Sequence, residues 1–297
     1  MMKRVVTFVL VLVFCLTSSV YAGYDIILIS DSNPPGAPDG DHEDDTLVSW
    51  LQSLGYTVDI SGMGQAYREG ENPFDDPMKV AALESAGMVL VSRRTDSGSY
   101  DNDRKSWNEL DNPLLLCSGY LTRGETGSSK WGWTSGGSGD ADLTTTGINI
   151  VNLHPFVPAS TGLFDWSEAP IPGQAPKGVY LPDSTEEVVD EGIVVATFDN
   201  RPILIDIQAG ANFDAVNNTT DIYGIAGDRR AFLGSWGYDI DLDYGQADPR
   251  NRRANFGDFI TDDYKALMEQ TIAEMIPEPA TVVLLGFGGL FLIRKRR

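Results

Sequence analysis

Residues 24–31 read YDIILISD, and residues 45–60 read DTLVSWLQSLGYTVDI. The first stretch is a continuous apolar run that ends in Ser30-Asp31. A strand buried on both faces has that composition. The second stretch places Leu47, Trp50, Leu51 and Leu54 at helical spacing, stops at Gly55, and resumes as the short strand TVDI. Strand, helix, strand is the unit from which parallel sheets are built.

The unit repeats. DDPMKVAALESAG (residues 75–87) predicts a helix with Asp76 before it, Pro77 in its first turn and Gly87 past its end. MVLVS is the third strand, DRKSWNEL a short helix and PLLLCS the fourth strand. The expected fold class is α/β, a three-layer sandwich with a mostly parallel sheet. In the second half, EGIVVATF and RPILIDIQ flank Asp199-Asn200 as an antiparallel hairpin. RRAFLGSW is a further strand. The helix predicted over TDDYKALMEQTIAEMI puts Tyr264, Leu267, Met268, Ile272 and Met275 on one face. Residues 123–147, rich in Gly, Ser and Thr, read as a long loop or insertion.

The two ends differ from this body. Residues 1–22 have Lys3 and Arg4, an apolar stretch from Val5 to Leu16, and Val20-Tyr21-Ala22. That is the pattern of a secretory signal peptide, with cleavage expected after Ala22 by signal peptidase. The chain closes with Pro277-Glu278-Pro279, a twelve-residue apolar run from Val282 to Ile293, and Arg294-Lys295-Arg296-Arg297. A bilayer span normally takes about 20 apolar residues, so the run is a marginal one. Its basic end belongs on the cytoplasmic side. The expected division is 1–22 leader, 23–276 α/β domain and 277–297 tail.

Between Gly23 and Pro279 lie all 43 acids but 16 of the 22 bases, a net charge near −27. Such a surface repels nucleic acid and anionic lipid. Cys117 is the one cysteine beyond the leader, so an intrachain disulfide is excluded. One such cysteine with His42 and His154 is a poor zinc set, and DGDHEDD lacks the EF-hand spacing for calcium. No metal and no cofactor is expected.

Two resemblances follow. Pro-Glu-Pro, apolar run and basic end, in that order, resemble the PEP-CTERM sorting signal of Gram-negative bacteria. The resemblance implies an exosortase-like protease as partner and transient anchoring in the inner membrane. Release to the envelope or extracellular matrix would follow. IILISD, MVLVSRR, PLLLCSGYLTR, HPFVPASTGLFDW and RRAFLGSW are together similar to the class I glutamine amidotransferase-like fold, in its ThuA-like branch. That resemblance implies a flavodoxin-type sheet, and in any such parallel sheet the loops after the strands' carboxyl ends form the rim where ligands bind.

The family's Gly-x-Cys-x-Gly elbow is here Leu115-Leu116-Cys117-Ser118-Gly119, without the first glycine. Cys117 with His154 is therefore the alternative, enzymatic reading, and a buried structural cysteine the leading one. The leading function is a non-catalytic envelope protein that binds a carbohydrate-rich ligand, with extracellular polysaccharide as partner. The rim is expected at Asp31 with the acidic loop 39–45, at Ser92–Tyr100 (SRRTDSGSY), and at Ser118–Arg123. Arg93, Arg94 and Arg123, with Ser97 and Tyr100, either hold an anionic group or neutralise Asp31 and its acidic neighbours. Trp131 and Trp133 either stack on sugar rings from an exposed loop or close over the sheet as core.

Overall fold

The computed structural model describes residues 23–37, 44–68, 73–124, 130–140, 147–158, 163–165, 180–185, 188–234 and 262–276. The leader with Ala22, His42 and the rest of 38–43, the acidic stretch DIDLDYG (239–245), and Pro277, Glu278 and Pro279 lie outside the described residues.

The architecture is mixed α/β. The strands are β1 (Ile26–Ile29), β2 (Val58–Asp59), β3 (Met88–Val91), β4 (Leu114–Leu116), β5 (Ser138–Asp140), β6 (Gly147–Ile150), β7 (Leu163–Asp165), β8 (Tyr180–Pro182), β9 (Gly192–Phe198), β10 (Arg201–Ile207) and β11 (Arg230–Leu233). The helices are α1 (Asp45–Ser53), α2 (Pro77–Ser85), α3 (Arg104–Asn108), α4 (Phe213–Asn217) and α5 (Asp262–Met275). Nine strands form one sheet in the order β2-β1-β3-β4-β11-β10-β9-β6-β7. From β2 to β11 neighbours are parallel, and from β11 to β7 they are antiparallel. β5 and β8 form a separate antiparallel pair.

The apolar runs dictate the middle of this sheet. Every residue of β1, β3, β4 and β11 is buried, as strands covered on both faces require. Burying each Ile, Leu or Val side chain contributes about 1.5–3 kcal/mol. The chain goes from β1 to β2 in one direction and then crosses back to β3. Right-handed crossovers in opposite directions place α1 and α2 on opposite faces. α1 buries Leu47, Val48 and Leu51, and α5 buries the face from Tyr264 to Met275.

Local chemistry sets the boundaries. Asp76 accepts a hydrogen bond from the Met78 amide at 2.9 Å and caps α2, with Pro77 in the first turn. The β9–β10 hairpin turns through Asp199 and Asn200, at φ 50° and 60°. Two consecutive left-handed residues match the strand twist, and Asp and Asn tolerate them best after glycine.

The segment 123–147 departs from the expected loop. Its described part contributes β5 and two core tryptophans. Gly132 sits between them at φ 73°, where a Cβ would meet the Tyr223 ring at 2.5 Å. Any side chain there would push apart the packing that the tryptophans build.

Candidate functional site

The order β2-β1-β3-β4-β11 reverses direction between β1 and β3. In open α/β sheets the crevice outside the carboxyl ends at that point is the usual ligand site. Ser30 and Ser92 are the first residues past β1 and β3. Both hydroxyls donate to Asp44 Oδ2 at 2.5 Å. Each also accepts from the amide two residues on, Ser32 and Arg94, at 2.9 Å. The Asp44 amide donates to Ser32 Oγ at 3.2 Å. Asp44 immediately precedes α1, so one carboxylate ties the start of that helix to both strands. The floor of the crevice is thus filled by the protein's own buried clasp.

Asp31 lies beside it, 6% exposed. Arg68 donates from Nε to Oδ1 at 2.9 Å and from Nη2 to Oδ2 at 2.8 Å. The Asp96 amide donates to Oδ2 at 2.7 Å and the Tyr100 hydroxyl to Oδ1 at 3.1 Å. Four donors take up the capacity of a carboxylate. Burial first, and then the neighbouring Asp31 charge, push the Tyr100 hydroxyl well above its ordinary range. Arg68 was not among the residues expected at the rim. It follows β2, and its position after a neighbouring parallel strand was the available signal. Asp31 and Tyr100 are therefore internal.

The arginines expected at the rim are used differently. Arg93, Arg94, Tyr120 and Arg123 are all half-buried. Arg93 Cζ lies 4.9 Å from the Tyr120 ring centroid and Arg123 Cζ 5.6 Å. Arg123 also donates from Nε to the Tyr120 carbonyl at 2.8 Å and from Nη2 to Ser97 Oγ at 3.3 Å. Arg94 offers its carbonyl to the Asp31 amide at 2.7 Å. The loops after β3 and β4 thereby bring Arg93, Ser97, Tyr120 and Arg123 together. Tyr120, which joins the two guanidiniums, stood unremarked within the expected segment 118–123.

Cys117 and His154 are not brought together. Cys117 is 2% exposed, and its amide donates to the Val91 carbonyl at 2.8 Å. Burial, and secondarily Asp44, push its thiol far above the range in which a thiolate forms. After it comes a turn, with the Leu121 amide donating to the Ser118 carbonyl, rather than a helix start.

His154 belongs to a separate cluster. Its Nε2 faces Asp206 Oδ2 at 3.1 Å, and the Phe156 amide donates to Nδ1 at 3.3 Å. Both ring nitrogens are engaged. Arg229 forks onto Asp206 at 2.7 and 2.9 Å, and Gln208 donates to the same carboxylate at 2.7 Å. Burial alone would raise the Asp206 carboxyl. The hydrogen bonds from His154 and Arg229 outweigh it and hold the group below its ordinary value. Asp206 pairs across the sheet with Ala231, the second residue of β11. This cluster therefore lies toward the amino ends of the parallel strands.

Trp131 and Trp133 require a correction to the sugar-stacking reading. Both are fully buried. Trp131 stacks on Trp107 at 5.4 Å and 17°, and Trp133 stacks on Phe213 at 6.1 Å and 10°. Their indole N–H groups donate to the Tyr100 carbonyl at 2.7 Å and to Asn108 Oδ1 at 2.8 Å. A large apolar ring with a satisfied polar tip gains more inside a core than on a loop.

Among the described residues no three His, Cys, Asp or Glu side chains converge as a metal site, and no helix is long and apolar enough to cross a membrane. No curated protein matches the chain. The structure is similar to that of a cytoplasmic protein from Salmonella typhimurium, with 12% identity and a TM-score of 0.46 over 84% of this chain and 98% of the other. Residues 276–297 match the PEP-CTERM protein-sorting motif. The chain thus ends in the sorting motif of exported proteins that an exosortase handles.

Proposed function

We propose that this is a non-catalytic protein of the cell envelope or extracellular matrix, built on an amidotransferase-like domain over residues 23–276. Its rim of Arg93, Arg94 and Arg123 binds the anionic groups of a carbohydrate-rich polymer. Signal peptidase cuts after Ala22. The tail holds the protein in the inner membrane of a Gram-negative cell until an exosortase-like protease acts at Pro277-Glu278-Pro279.

The observation that carries the ligand reading is the placement of Arg93 and Arg123 on one half-exposed ring, Tyr120. At Asp31 the neutralising role has little room, because four other donors already serve its carboxylate. A guanidinium is planar and always charged, and its N–H groups that remain accessible match a carboxylate or sulfate. On so acidic a protein, a cationic spot also attracts an anion against the prevailing field.

The test is binding of acidic envelope polysaccharide to a chain carrying Arg93→Gln, Arg94→Gln and Arg123→Gln. Each lost charged hydrogen bond is worth about 1.5–3 kcal/mol, so affinity should fall at least tenfold with little change in melting temperature. Unchanged binding with lowered stability would make the arginines structural and remove the site.

A further inference from the structure

Most of the exposed large apolar side chains of the described residues gather toward one end of the sheet. Val151 and Leu153, 45% and 91% exposed, continue from β6 alongside β9. The Val151 amide donates to the Val195 carbonyl at 3.0 Å, and Asn152 Nδ2 to the Val194 carbonyl at 2.7 Å. Ile193, 41% exposed, is the second residue of β9 and pairs with Asp206 near the end of β10. Tyr24, 51% exposed, precedes β1. Val151, beside Val195, is level with the end of β11, whereas Tyr24, Leu153 and Ile193 lie toward the amino-terminal end of the parallel strands. Ile222 and Ile225 are in the β10–β11 connection, which leaves and re-enters the sheet at that end. Met78, 82% exposed at the start of α2, is at the opposite end.

The sorting tail departs from the same end. The Tyr264 hydroxyl, in the first turn of α5, donates to the Gly234 carbonyl just past β11 at 2.9 Å. The Glu274 carbonyl, in the last turn, accepts from Arg229 Nη1 at 3.2 Å, just before β11 begins. α5 therefore runs back along the sheet and ends at Arg229, whose partner Asp206 pairs with Ile193. The motif starts at residue 276, and the apolar run of the tail begins at Val282. Six residue steps reach about 20 Å at full extension.

We infer that the amino-terminal end of the sheet, centred on Leu153 and Ile193, rests on the lipid surface while the tail is inserted, with the arginine rim facing away from the membrane. A few exposed Leu, Ile and Val side chains bind a bilayer weakly by themselves. A short tether raises their effective concentration at the surface to the order of millimolar, which makes weak contact sufficient. The acidic body sets the preferred surface: uncharged lipid, since anionic lipid repels it. The orientation uses the sorting motif and the path of α5, and it does not depend on what the rim binds.

The test uses the full chain with Cys15→Ser, its tail inserted in uncharged phosphatidylcholine vesicles. An environment-sensitive fluorophore is attached at Leu153→Cys or, in a second protein, at Met78→Cys. The unmutated Cys117 chain serves as the labelling blank. The Leu153 label should shift to the blue and resist aqueous iodide, while the Met78 label stays as in water. Adding Ile193→Glu and Ile222→Glu, both at exposed positions, should abolish the Leu153 shift. Aqueous emission at Leu153, equal shifts at both labels, or a shift that survives the two glutamates would overturn the inference.

Discussion

Arg68 holds both carboxylate oxygens of Asp31, at 2.9 and 2.8 Å, with the Asp31 side chain 3% exposed and that of Arg68 31%. This pair closes the outer side of the β1/β3 crevice, and the Ser30–Asp44–Ser92 clasp fills its floor. The usual ligand position of such a sheet is therefore structural here. The chemistry open to a ligand is shifted toward the loops after β3 and β4.

Arg68→Met should cost about 3 kcal/mol of unfolding free energy, because it leaves a buried carboxylate short of its cation. Adding Asp31→Asn should restore part of the loss. Urea unfolding of the single and double variants measures both, and a neutral single variant would mean that the pair is loose in solution.

Cys117 should alkylate slowly in the folded protein at pH 8, at a rate that rises with added denaturant. The thiol is buried, and its proton is held more tightly than in water. Rapid labelling of native protein at neutral pH would contradict this environment and restore Cys117 as a candidate nucleophile.

Stability should fall on the acid side. Asp206 and Asp214 both have carboxyls held below their ordinary value of 3.8. For each, burial acts in the opposite sense and is outweighed by hydrogen bonds. Those come from His154 and Arg229 at Asp206, and from Thr219 with the Tyr223, Ile222 and Gly224 amides at Asp214. The unfolded chain takes up these protons first, at about pH 4. The stabilisation is thus fully present above that value and is lost as pH falls through the lower folded-state values. Asp214→Asn should be less stable at pH 7 but show a shallower decline below pH 4 in thermal melts.

Trp131→Ala should cost about 3–5 kcal/mol, the usual loss for a large buried aromatic. It breaks the stack on Trp107 and the hydrogen bond to the Tyr100 carbonyl. If the variant melts like the parent, the indole is not core.

The parallel half of the fold was legible because each strand carries its own evidence. IILI, MVLV and LLL are buried at every position, and runs of that kind declare themselves without a partner. The Asp199-Asn200 turn and the apolar face of α5 were equally local. β5 to β8 were not legible, since short strands such as SGD and YLP gain meaning from a distant partner. The tryptophans were ambiguous for the same reason: Trp107 and Phe213, which bury them, are far away in sequence. At the rim, the segments could be named from the strand order. The pairing of Arg68 with Asp31, and of Arg93 and Arg123 with Tyr120, is decided by where four loops meet.

Guanidinium NMR gives the most direct test of the rim, because the protein contains its own controls. Arg68 and Arg229 are committed to Asp31 and Asp206, and Arg230 is buried against the Asn108, Leu110 and Asn112 carbonyls. Titration with a short uronic-acid oligosaccharide should shift the terminal guanidinium signals of Arg93 and Arg123 and the ring signals of Tyr120. Those of Arg68, Arg229 and Arg230 should stay in place. No shift at Arg93 and Arg123 at saturating sugar, or equal shifts at the committed arginines, would contradict the account.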